Sequence, residues 1–536
     1  MSGGTGRTVL SASTATLISR IIGFVRNLSL AAALGTGIVS DSYNLANQVP
    51  NQIFLLLGGG TIAAVFLPQI TRLATRSRED ADRYGTVLLL GSAAFGLVIS
   101  GVALAFAPQV VSALGGSAWG TSQRELTIAL FLWCTPQIAA YAVFSVASQL
   151  MNARGKFTLV SWLPAVSSLS VIAGSAIVIV NGTVNGNDPT SVSPELITVL
   201  GATTLGGTIV QLTALLILLR RVGFRARLRG GIRGLGLRIA VRTGVLSVAS
   251  AMCYQATNLL TAAWTAQAGT TASEQGFEGF GYSAFFFAMA LISVVQGIAG
   301  SSLSSILLQR MAKHFGTGDV RAAHGELDDA LLRLSSFIIP VASIMIACGP
   351  AIGEILFARG QTSPSAARMI GVTVAILATG LLPYSLHALL IRPFYANHDG
   401  LRPLLSSITV NAIWAIGAVL AFFLLPAPLV LFGMALTFAI SYWADLPIKM
   451  IWLRRRLDYR VEDARRGAML RGVIVGAILT VVIGAPGWYA LFVFDLPTWA
   501  ALIVAAVQAT LLIAVYTLAV RRSLVSPIAL LRWLRK

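Results

Sequence analysis

The sequence contains few charged residues. Only 11% of its 536 residues are Asp, Glu, Lys or Arg, whereas 56% are hydrophobic. Soluble domains carry about 25% charged residues, so the composition excludes an ordinary soluble protein. Apolar runs long enough to cross a bilayer recur along the chain. The sequence therefore predicts an all-α polytopic membrane protein.

Cysteines and long polar segments are also scarce. Cys134, Cys253 and Cys348 lie far apart within apolar segments, which predicts neither a disulfide framework nor a cysteine metal or redox site. The longest polar connections have only about twenty residues, far below the size of an independently folding domain. The sequence also lacks Gly-rich phosphate loops, metal-ligand spacings and nucleophile elbows. We therefore expect no enzyme activity, no cofactor, no metal site and no cleaved leader.

Apolar stretches of membrane-spanning length number about fourteen. Their centres fall near Ile21, Leu57, Val98, Pro136, Val171, Thr208, Gln255, Val294, Ala342, Ala378, Ile413, Ala439, Thr480 and Val507. An even number of spans places both termini on the same side of the membrane. We test this count against the distribution of basic residues, because a missed span would disturb it.

Basic residues are concentrated in every second connection between the spans. The largest clusters run from Arg220 to Arg242 and from Lys449 to Arg471, whereas the opposite connections hold only Arg124, Arg359 and Arg368. This alternation follows the positive-inside rule and predicts that both termini are cytoplasmic. Topology thus explains the net charge of +19 without a nucleic-acid partner. We expect the two clusters to attract anionic lipid headgroups, mostly without specificity.

The large basic connection after the sixth span predicts a division into two lobes. Six-helix lobes in residues 1–222 and 223–455 would be followed by two additional helices in residues 456–536. Transporters are often built from paired bundles with a binding site at their interface. Pro136 and Pro383 interrupt spans, and broken spans often line hydrated cavities; close packing through small residues is the alternative explanation.

Two arginines, Arg20 and Arg26, lie inside the first apolar stretch, where topology does not explain them. A guanidinium stays protonated, and burying it at membrane depth is costly unless it faces protein, water or an anionic ligand. Helical spacing gives the stretch one broad polar face. That face also contains Thr16, Ser19, Gly23 and Asn27.

The second apolar stretch has a polar face of its own. This face contains Asp41, Asn44, Asn47, Gln48, Asn51 and Gln52. Lipid does not tolerate such faces, so we expect the two helices to turn them toward each other or toward a hydrated cavity. The cavity would be cationic, because Arg20 and Arg26 outweigh Asp41, and arginine forks match phosphate oxygens. Alternatively, Asp41 pairs with one arginine and locks the helices together.

Polar residues elsewhere in the spans are weaker indications of function. Gln255 and Asn258 in the seventh span either line the second lobe's side of the cavity or hydrogen-bond across helices. We expect His387 to be a core histidine, with a secondary potential as a pH switch. Glu354 and Asp445 lie near span ends, which predicts positions at the membrane interface.

Two segments of the chain resemble a known family. The stretch from Ser19 to Asn27, followed by Asp41 and by Ala46-Asn47-Gln48-Val49-Pro50-Asn51, resembles the start of the MurJ/MviN family. These proteins are lipid II flippases of the multidrug/oligosaccharidyl-lipid/polysaccharide exporter superfamily. The segment from Phe394 to Pro403 is similar to the family's connection after its tenth span. The sequence departs from the family pattern at Gln48 and after Asn51, where basic residues are common.

The resemblance implies a flippase that moves an undecaprenyl-pyrophosphate-linked peptidoglycan precursor, lipid II, for cell wall biosynthesis. Transport would run from the inner to the outer leaflet of the bacterial plasma membrane by alternating access, driven by membrane potential or an ion gradient. Arg20 and Arg26 would bind the pyrophosphate, and Asp41 would tune or gate them. The expected substrate-binding residues are Ser19, Arg20, Arg26, Asp41, Asn51 and Gln52.

Expected partners of such a transporter are the undecaprenyl-pyrophosphate-linked substrate, anionic lipids and cell-wall synthesis proteins. Two alternatives to lipid II transport are export of another polyprenyl-linked glycan and a non-transporting scaffold of the cell-wall machinery. The scaffold role is kept as an alternative because the chain lacks basic residues that the family usually has after Asn51. A small-cation substrate would predict an acidic cavity, which Arg20 and Arg26 contradict.

Overall fold

The structure, a computed structural model, describes residues 3–58, 77–182, 184–227, 237–297, 302–397 and 399–520. These residues form α-helices joined by short connections, and the chain divides into two compact units, residues 1–271 and 272–536. The chain is an all-α polytopic membrane protein, as its sequence predicts. The predicted lobe boundaries at residues 222 and 455 stay a prediction.

The first unit is a bundle in which α1 lies along α7, α7 packs on α8, and α2 packs on α5 and α6. Short 3₁₀ geometry occurs at Pro189–Ser191. The described helices of this unit are α1 (Gly3–Leu34), α2 (Ile38–Gly58), α3 (Arg78–Ala105), α4 (Ala107–Gly115), α5 (Thr121–Cys134), α6 (Gln137–Ala153), α7 (Phe157–Asn181), α8 (Pro194–Arg221) and α9 (Leu237–Glu274). The boundary between the units falls in the last turn of α9.

The second unit packs α13 on α14, α17 on α18, and α12 on both α15 and α19. The described helices of this unit are α10 (Tyr282–Gln296), α11 (Ser302–Gly316), α12 (Val320–Ala347), α13 (Gly349–Phe357), α14 (Pro364–Thr379), α15 (Leu381–Leu390), α16 (Arg392–Ala396), α17 (Leu401–Leu424), α18 (Ala427–Leu457), α19 (Asp463–Val493) and α20 (Thr498–Val520).

Ten segments of the described chain are long and apolar enough to cross a membrane, and the bent pair of α14 and α15–α16 raises the number to 11. The predicted count of about fourteen is not confirmed by this criterion. The other three predicted spans fall on α2, α9 and α10. Polar side chains lower the hydropathy of α2 and α9, and α10 has only 15 residues.

Pro136 and Pro383 coincide with breaks inside the spans, whereas Pro50 lies within the continuous helix α2. Pro136 separates α5 from α6, and the bent pair turns by 44° where Gly380 and Pro383 begin α15. A proline inside a helix leaves the carbonyl four residues earlier without its usual partner. The carbonyl opposite Pro383 is that of Thr379, and it accepts a 2.9 Å hydrogen bond from Nε1 of Trp443. A neighbouring helix therefore satisfies the backbone group that the proline frees.

A buried carboxylate ties together the connections of the first unit. Asp82 in α3 pairs with Arg154 after α6, and its Oδ2 accepts a 3.0 Å hydrogen bond from the backbone N–H of Arg225 after α8. The Arg154 guanidinium also lies 5.2 Å from the centroid of the Phe224 ring, a cation–π distance. These connections belong to the predicted cytoplasmic set, and Arg154 and the backbone of Arg225 also hold the fold together.

Candidate functional site

The unbroken helix α1 carries both candidate arginines. Arg20 is exposed and Arg26 is half-buried, whereas Ser19 is buried. Gly23 marks the contact between α1 and α7, because a Cβ built there would lie 3.9 Å from Oγ of Ser168. The polar face predicted from helical spacing thus packs on a neighbouring helix at Gly23 and leaves Arg20 at the surface.

Arg26 interacts with neutral polar groups. Its Nη2 and Nε donate to Oδ1 of the buried Asn27 at 3.1 and 3.3 Å. The hydroxyls of Tyr43 on α2 and Tyr141 on α6 hydrogen-bond elsewhere, to Thr204 and Gln137. Within the part of the chain that the structure describes, Arg26 makes no ion pair with Asp41. The alternative in which this arginine and Asp41 lock α1 to α2 is therefore not supported.

Asp41 is buried in the first turn of α2, with only 2% of the residue exposed. A carboxylate in this position is stabilised by the dipole of its own helix. The same turn is held by a 2.9 Å hydrogen bond from the backbone N–H of Val39 to the carbonyl of Gly186, and Asn44 donates to Oγ of Ser40 at 3.3 Å. The structure thus places Asp41 at a firmly packed helix end, and its role in tuning the arginines stays a prediction.

Gln52 faces α9 together with Gln48. The Nε2 atoms of both residues donate to Oδ1 of Asn258 at 2.9 Å. Oε1 of Gln52 is buried and has no hydrogen-bond partner among the described residues, while Asn51 is half-buried. Of the two roles considered for Asn258, the structure shows the hydrogen bond across helices. A lining role for Asn51 and Gln52 stays a prediction.

A second polar contact crosses the middle of the first unit. Gln137 donates through Nε2 to Oδ1 of Asn47 at 3.3 Å, and its Oε1 accepts from the hydroxyls of Thr208 at 3.0 Å and Tyr141 at 3.2 Å. This contact joins α2, α6 and α8 through uncharged groups. Gln137 is not among the predicted site residues, although a glutamine directly after Pro136 in an apolar span indicates a polar contact between helices.

The second unit contains a buried charged cluster, the Asp445 cluster, formed by His387, Ser406, Asp445 and Lys449. Oδ2 of Asp445 lies 2.6 Å from Nζ of Lys449 and 2.9 Å from Nδ1 of His387, and Oδ1 accepts from Oγ of Ser406 at 2.9 Å. Nδ1 of His387 also contacts Nζ of Lys449. Both side chains are 1% exposed, and Lys449 lies inside α18, so its predicted place in a loop cluster is wrong, whereas the interfacial position predicted for Asp445 stays a prediction. Their four-residue spacing on one helix was the signal.

Glu354 belongs to another buried network, and the interfacial position predicted for it stays a prediction. Its Oε2 accepts a 2.8 Å hydrogen bond from Nε of Arg368. The same guanidinium donates to Oδ1 of Asp495 at 2.6 Å and to the carbonyl of Leu496 at 2.9 Å. Arg368, counted among the outer loops, therefore ties α13 and α14 to the connection before α20.

No group of three or more His, Cys, Asp or Glu in the described residues is arranged to hold a metal ion. Cys134, Cys253 and Cys348 are free thiols, and Cys134 and Cys348 are buried. The charged clusters of the second unit consist of acids paired with bases. The chemistry available at these sites is therefore electrostatic binding and proton exchange.

Comparison with known families decides where this arrangement belongs. A family described as the lipid II flippase MurJ matches residues 30–517. The chain belongs to the lipid II flippase MurJ family. The matched region contains Asp41, Asn51 and Gln52, and it begins four residues after Arg26. Family membership therefore covers both units, while the α1 arginines are placed by the structure of this chain.

Relatives of this MurJ-family chain are similar over most of their length. A probable lipid II flippase MurJ of Rhizobium meliloti (strain 1021) is 25% identical over 425 residues, which are 75% of this chain and 73% of that protein. A probable lipid II flippase MurJ of Haemophilus influenzae is 22% identical over 511 residues, 90% of this chain and 92% of that protein. The similarity therefore extends through nearly the entire sequence.

Solved structures show the same fold. A lipid II flippase MurJ in an inward closed conformation has a TM-score of 0.73 at 16% identity and covers 94% of this chain and 98% of that chain. An inward-facing multidrug resistance MATE family transporter of the MOP superfamily has a TM-score of 0.66 at 14% identity, covering 83% and 98%. The MurJ-family chain therefore has the fold that these two kinds of transporter share.

Proposed function

We propose that this MurJ-family chain moves lipid II from the inner to the outer leaflet of a bacterial plasma membrane, and that Arg20 and Arg26 bind its pyrophosphate. The observation that carries the proposal is the environment of Arg26. This half-buried guanidinium donates to the neutral amide of Asn27 and makes no ion pair among the described residues. Its positive charge is thus available to an anionic ligand.

The chemistry of the ligand follows from the arginine side chains. Guanidinium forks donate two parallel hydrogen bonds to phosphate oxygens, and such charge-assisted bonds are stronger than neutral ones. Arg20 and Arg26 are six residues apart on α1, which is about 9 Å along the helix axis. A diphosphate attached to a sugar and a lipid matches two fixed charges at this spacing. Ser19 and Asp41 complete the proposed substrate-binding set, with Asp41 tuning or gating the arginines, and Asn51 and Gln52 line the cavity.

Transport would proceed by alternating access through a cationic cavity. The substrate would enter from the cytoplasmic leaflet, where both chain termini are proposed to lie, and leave toward the outer leaflet. Moving a lipid between equivalent leaflets releases no free energy. Membrane potential or an ion gradient therefore gives the cycle its direction. The transported precursor would then feed cell wall synthesis. Anionic lipids around the basic clusters and cell-wall synthesis proteins are the other proposed partners.

The test is a depletion and rescue experiment with a lipid II translocation assay. In cells depleted of their own flippase, Arg20→Ala and Arg26→Ala variants should each lower translocation about tenfold or more, as expected for losing a hydrogen-bonded charge worth about 1.5–3 kcal/mol. Lysine replacements keep the positive charge but lose the two parallel hydrogen bonds of the guanidinium. Partial translocation would therefore show that both the charge and the hydrogen-bond geometry contribute. Variant levels in the membrane are measured in parallel.

Arg321→Ala provides the matched control, because Arg321 is an exposed arginine of α12 outside the proposed site. It should translocate lipid II like the unmodified chain. Normal translocation by the Arg20 and Arg26 variants at normal membrane levels would refute the pyrophosphate site. If the unmodified chain rescues growth without moving lipid II, a scaffold role replaces transport. If it moves only another polyprenyl-linked glycan, the substrate assignment is wrong.

A further inference from the structure

The Asp445 cluster combines two basic groups with one carboxylate in the interior of the second unit. With a neutral imidazole, the charges of Asp445 and Lys449 cancel, and the cluster is electrically balanced. Both basic groups converge on the same carboxylate oxygen, at 2.6 Å for Nζ of Lys449 and 2.9 Å for Nδ1 of His387. The second oxygen is occupied by the hydroxyl of Ser406. Buried ionisable groups are costly unless they are closely paired, so such a convergence points to function.

The imidazole is the part of the cluster that reaches the surface. The side chain of His387 is 19% exposed, whereas those of Asp445 and Lys449 are 1% exposed. Tyr442 packs against the imidazole edge to face at 5.2 Å and covers one side of it. A proton exchanging with the cluster therefore enters or leaves through His387.

The ligand class follows from the charges already present. The ammonium of Lys449 occupies the position beside Asp445 that a metal cation would need, so a sodium ion would meet direct repulsion. A proton needs only a lone pair, and neutral imidazole supplies one. The charged groups that act on His387 are Lys449, Asp445 and, from α16, Arg392. The phenols of Tyr384 and Tyr442 complete the surroundings as neutral groups.

We propose that the Asp445 cluster is a proton-binding site of the second unit, and that proton occupancy at His387 controls the rate of transport. In the loading step, neutral His387 takes a proton from water and becomes an imidazolium whose Nδ1–H donates to Asp445. The net charge of the cluster rises from zero to one. In the unloading step the proton returns to water. The control of transport rests on the proposed lipid II function, whereas proton binding does not.

The position of His387 in the fold links its charge to a helix break. His387 lies on α15, the short second part of the bent pair that turns by 44° at Gly380. Gly380 contacts α18 so closely that a Cβ there would lie 2.7 Å from Cα of Ala439. The two helices that meet at this contact are the ones that carry His387 and the Asp445–Lys449 pair. A change in cluster charge therefore acts on a short helix that a break separates from α14.

Proton binding is tested by histidine NMR on the full chain in lipid nanodiscs. The chain has four histidines, and a His387→Gln variant identifies the signal of His387. Lys449→Met removes a repelling charge, so the His387 titration midpoint should move to higher pH by about one unit or more. Asp445→Asn removes the attracting charge, so the midpoint should move to lower pH. Opposite shifts are the signature of charge coupling, which a merely structural role would not give.

His314 provides the internal control, because its signal should keep one midpoint in all variants. Each single substitution leaves a buried charge without its partner, so the double variant Asp445→Asn with Lys449→Met keeps the cluster neutral and the fold testable. In that variant the midpoint should lie between those of the two single variants. If the His387 signal does not titrate, or if its midpoint stays within half a unit in all three variants, the proton site is refuted.

Control of transport is tested in proteoliposomes containing lipid II, with translocation measured from pH 3.5 to 9. The unmodified chain should change its rate across the His387 midpoint, and His387→Gln should flatten the profile while His314→Gln leaves it unchanged. An unmodified pH profile in the His387→Gln variant would refute the control of transport. Absence of translocation by the unmodified chain would instead refute the proposed function, and the NMR result would then stand alone.

Discussion

The helices around α2 in the first unit and the helices around α13 and α15 in the second unit are joined by different chemistry, although the first unit also contains the buried Asp82–Arg154 pair. In the first unit, α2 is linked to α6, α8 and α9 by amides and hydroxyls, as in the contacts of Gln137 with Asn47 and of Gln52 with Asn258. In the second unit, α15 is linked to α18 and α13 is linked to α14 by buried ionised groups, through Asp445 and Glu354. Burying a neutral group that is hydrogen-bonded costs little free energy, whereas a buried ion is costly unless a close partner compensates its charge.

The difference bears on where a ligand charge would be received. Arg26 in the first unit has neutral neighbours, so an arriving phosphate would be its first strong counter-ion. Lys449 and Arg368 in the second unit already hold carboxylates at 2.6 and 2.8 Å. An anionic ligand would have to displace those partners before it could bind. This difference supports the proposed phosphate site on α1 and the proposed proton site at the Asp445 cluster.

Among the substitutions that test this difference between the units, Asp445→Asn should lower the free energy of unfolding the most. Asp445→Asn leaves the fully buried Lys449 ammonium without its carboxylate, and removing one partner of a buried ion pair typically costs about 3–5 kcal/mol. The free energy of unfolding, measured by denaturant titration in detergent micelles, should fall by that amount. Asp445→Asn with Lys449→Met should recover most of it. Equal stability of the single and double variants would show that the ion pair does not hold this unit.

Sequence patterns revealed the helical membrane fold because apolar length and basic loops are local signals. They also indicated the polar faces of α1 and α2, since helical spacing follows from sequence alone. They did not reveal that Glu354, Asp445 and Lys449 are buried with charged partners, because a charge near a span end looks the same whether it meets water or a partner on another helix. The pairing of Arg368 with Glu354 depends on packing between α13 and α14, which spacing along one helix does not reveal.

A smaller effect is expected in the first unit from the loss of Asn258. Asn258→Ala removes the acceptor shared by Gln48 and Gln52, and unsatisfied buried amides cost about 1–3 kcal/mol. The free energy of unfolding should fall within that range, below the loss for Asp445→Asn. Asn181→Ala, at the exposed end of α7, is the matched substitution and should change stability by less than about 0.5 kcal/mol. If Asn258→Ala lowers the free energy of unfolding as much as Asp445→Asn, the neutral contacts contribute as much to stability as the charged ones. That result would contradict the difference between the two units.

The smallest effect is expected at the α1 contact beside the arginines. A Cβ at Gly23 would lie 3.9 Å from Oγ of Ser168, an ordinary contact distance, whereas a Cβ at Gly380 would lie 2.7 Å from Cα of Ala439. Gly23→Ala should therefore leave the unfolding free energy unchanged or raise it by up to about 1 kcal/mol, because alanine loses less backbone entropy in a helix.

Gly380→Ala should instead lower the unfolding free energy by about 1–3 kcal/mol, since the α15–α18 contact must open. Lipid II translocation measured on the same two variants then separates packing from ligand binding. Gly23→Ala adds a methyl group within one helical turn of Arg20 and Arg26 and leaves both guanidinium groups in place, so translocation should persist. A stable Gly23→Ala protein without translocation would show that α1 must slide on α7 during the cycle, and that the arginines do not act from a fixed helix.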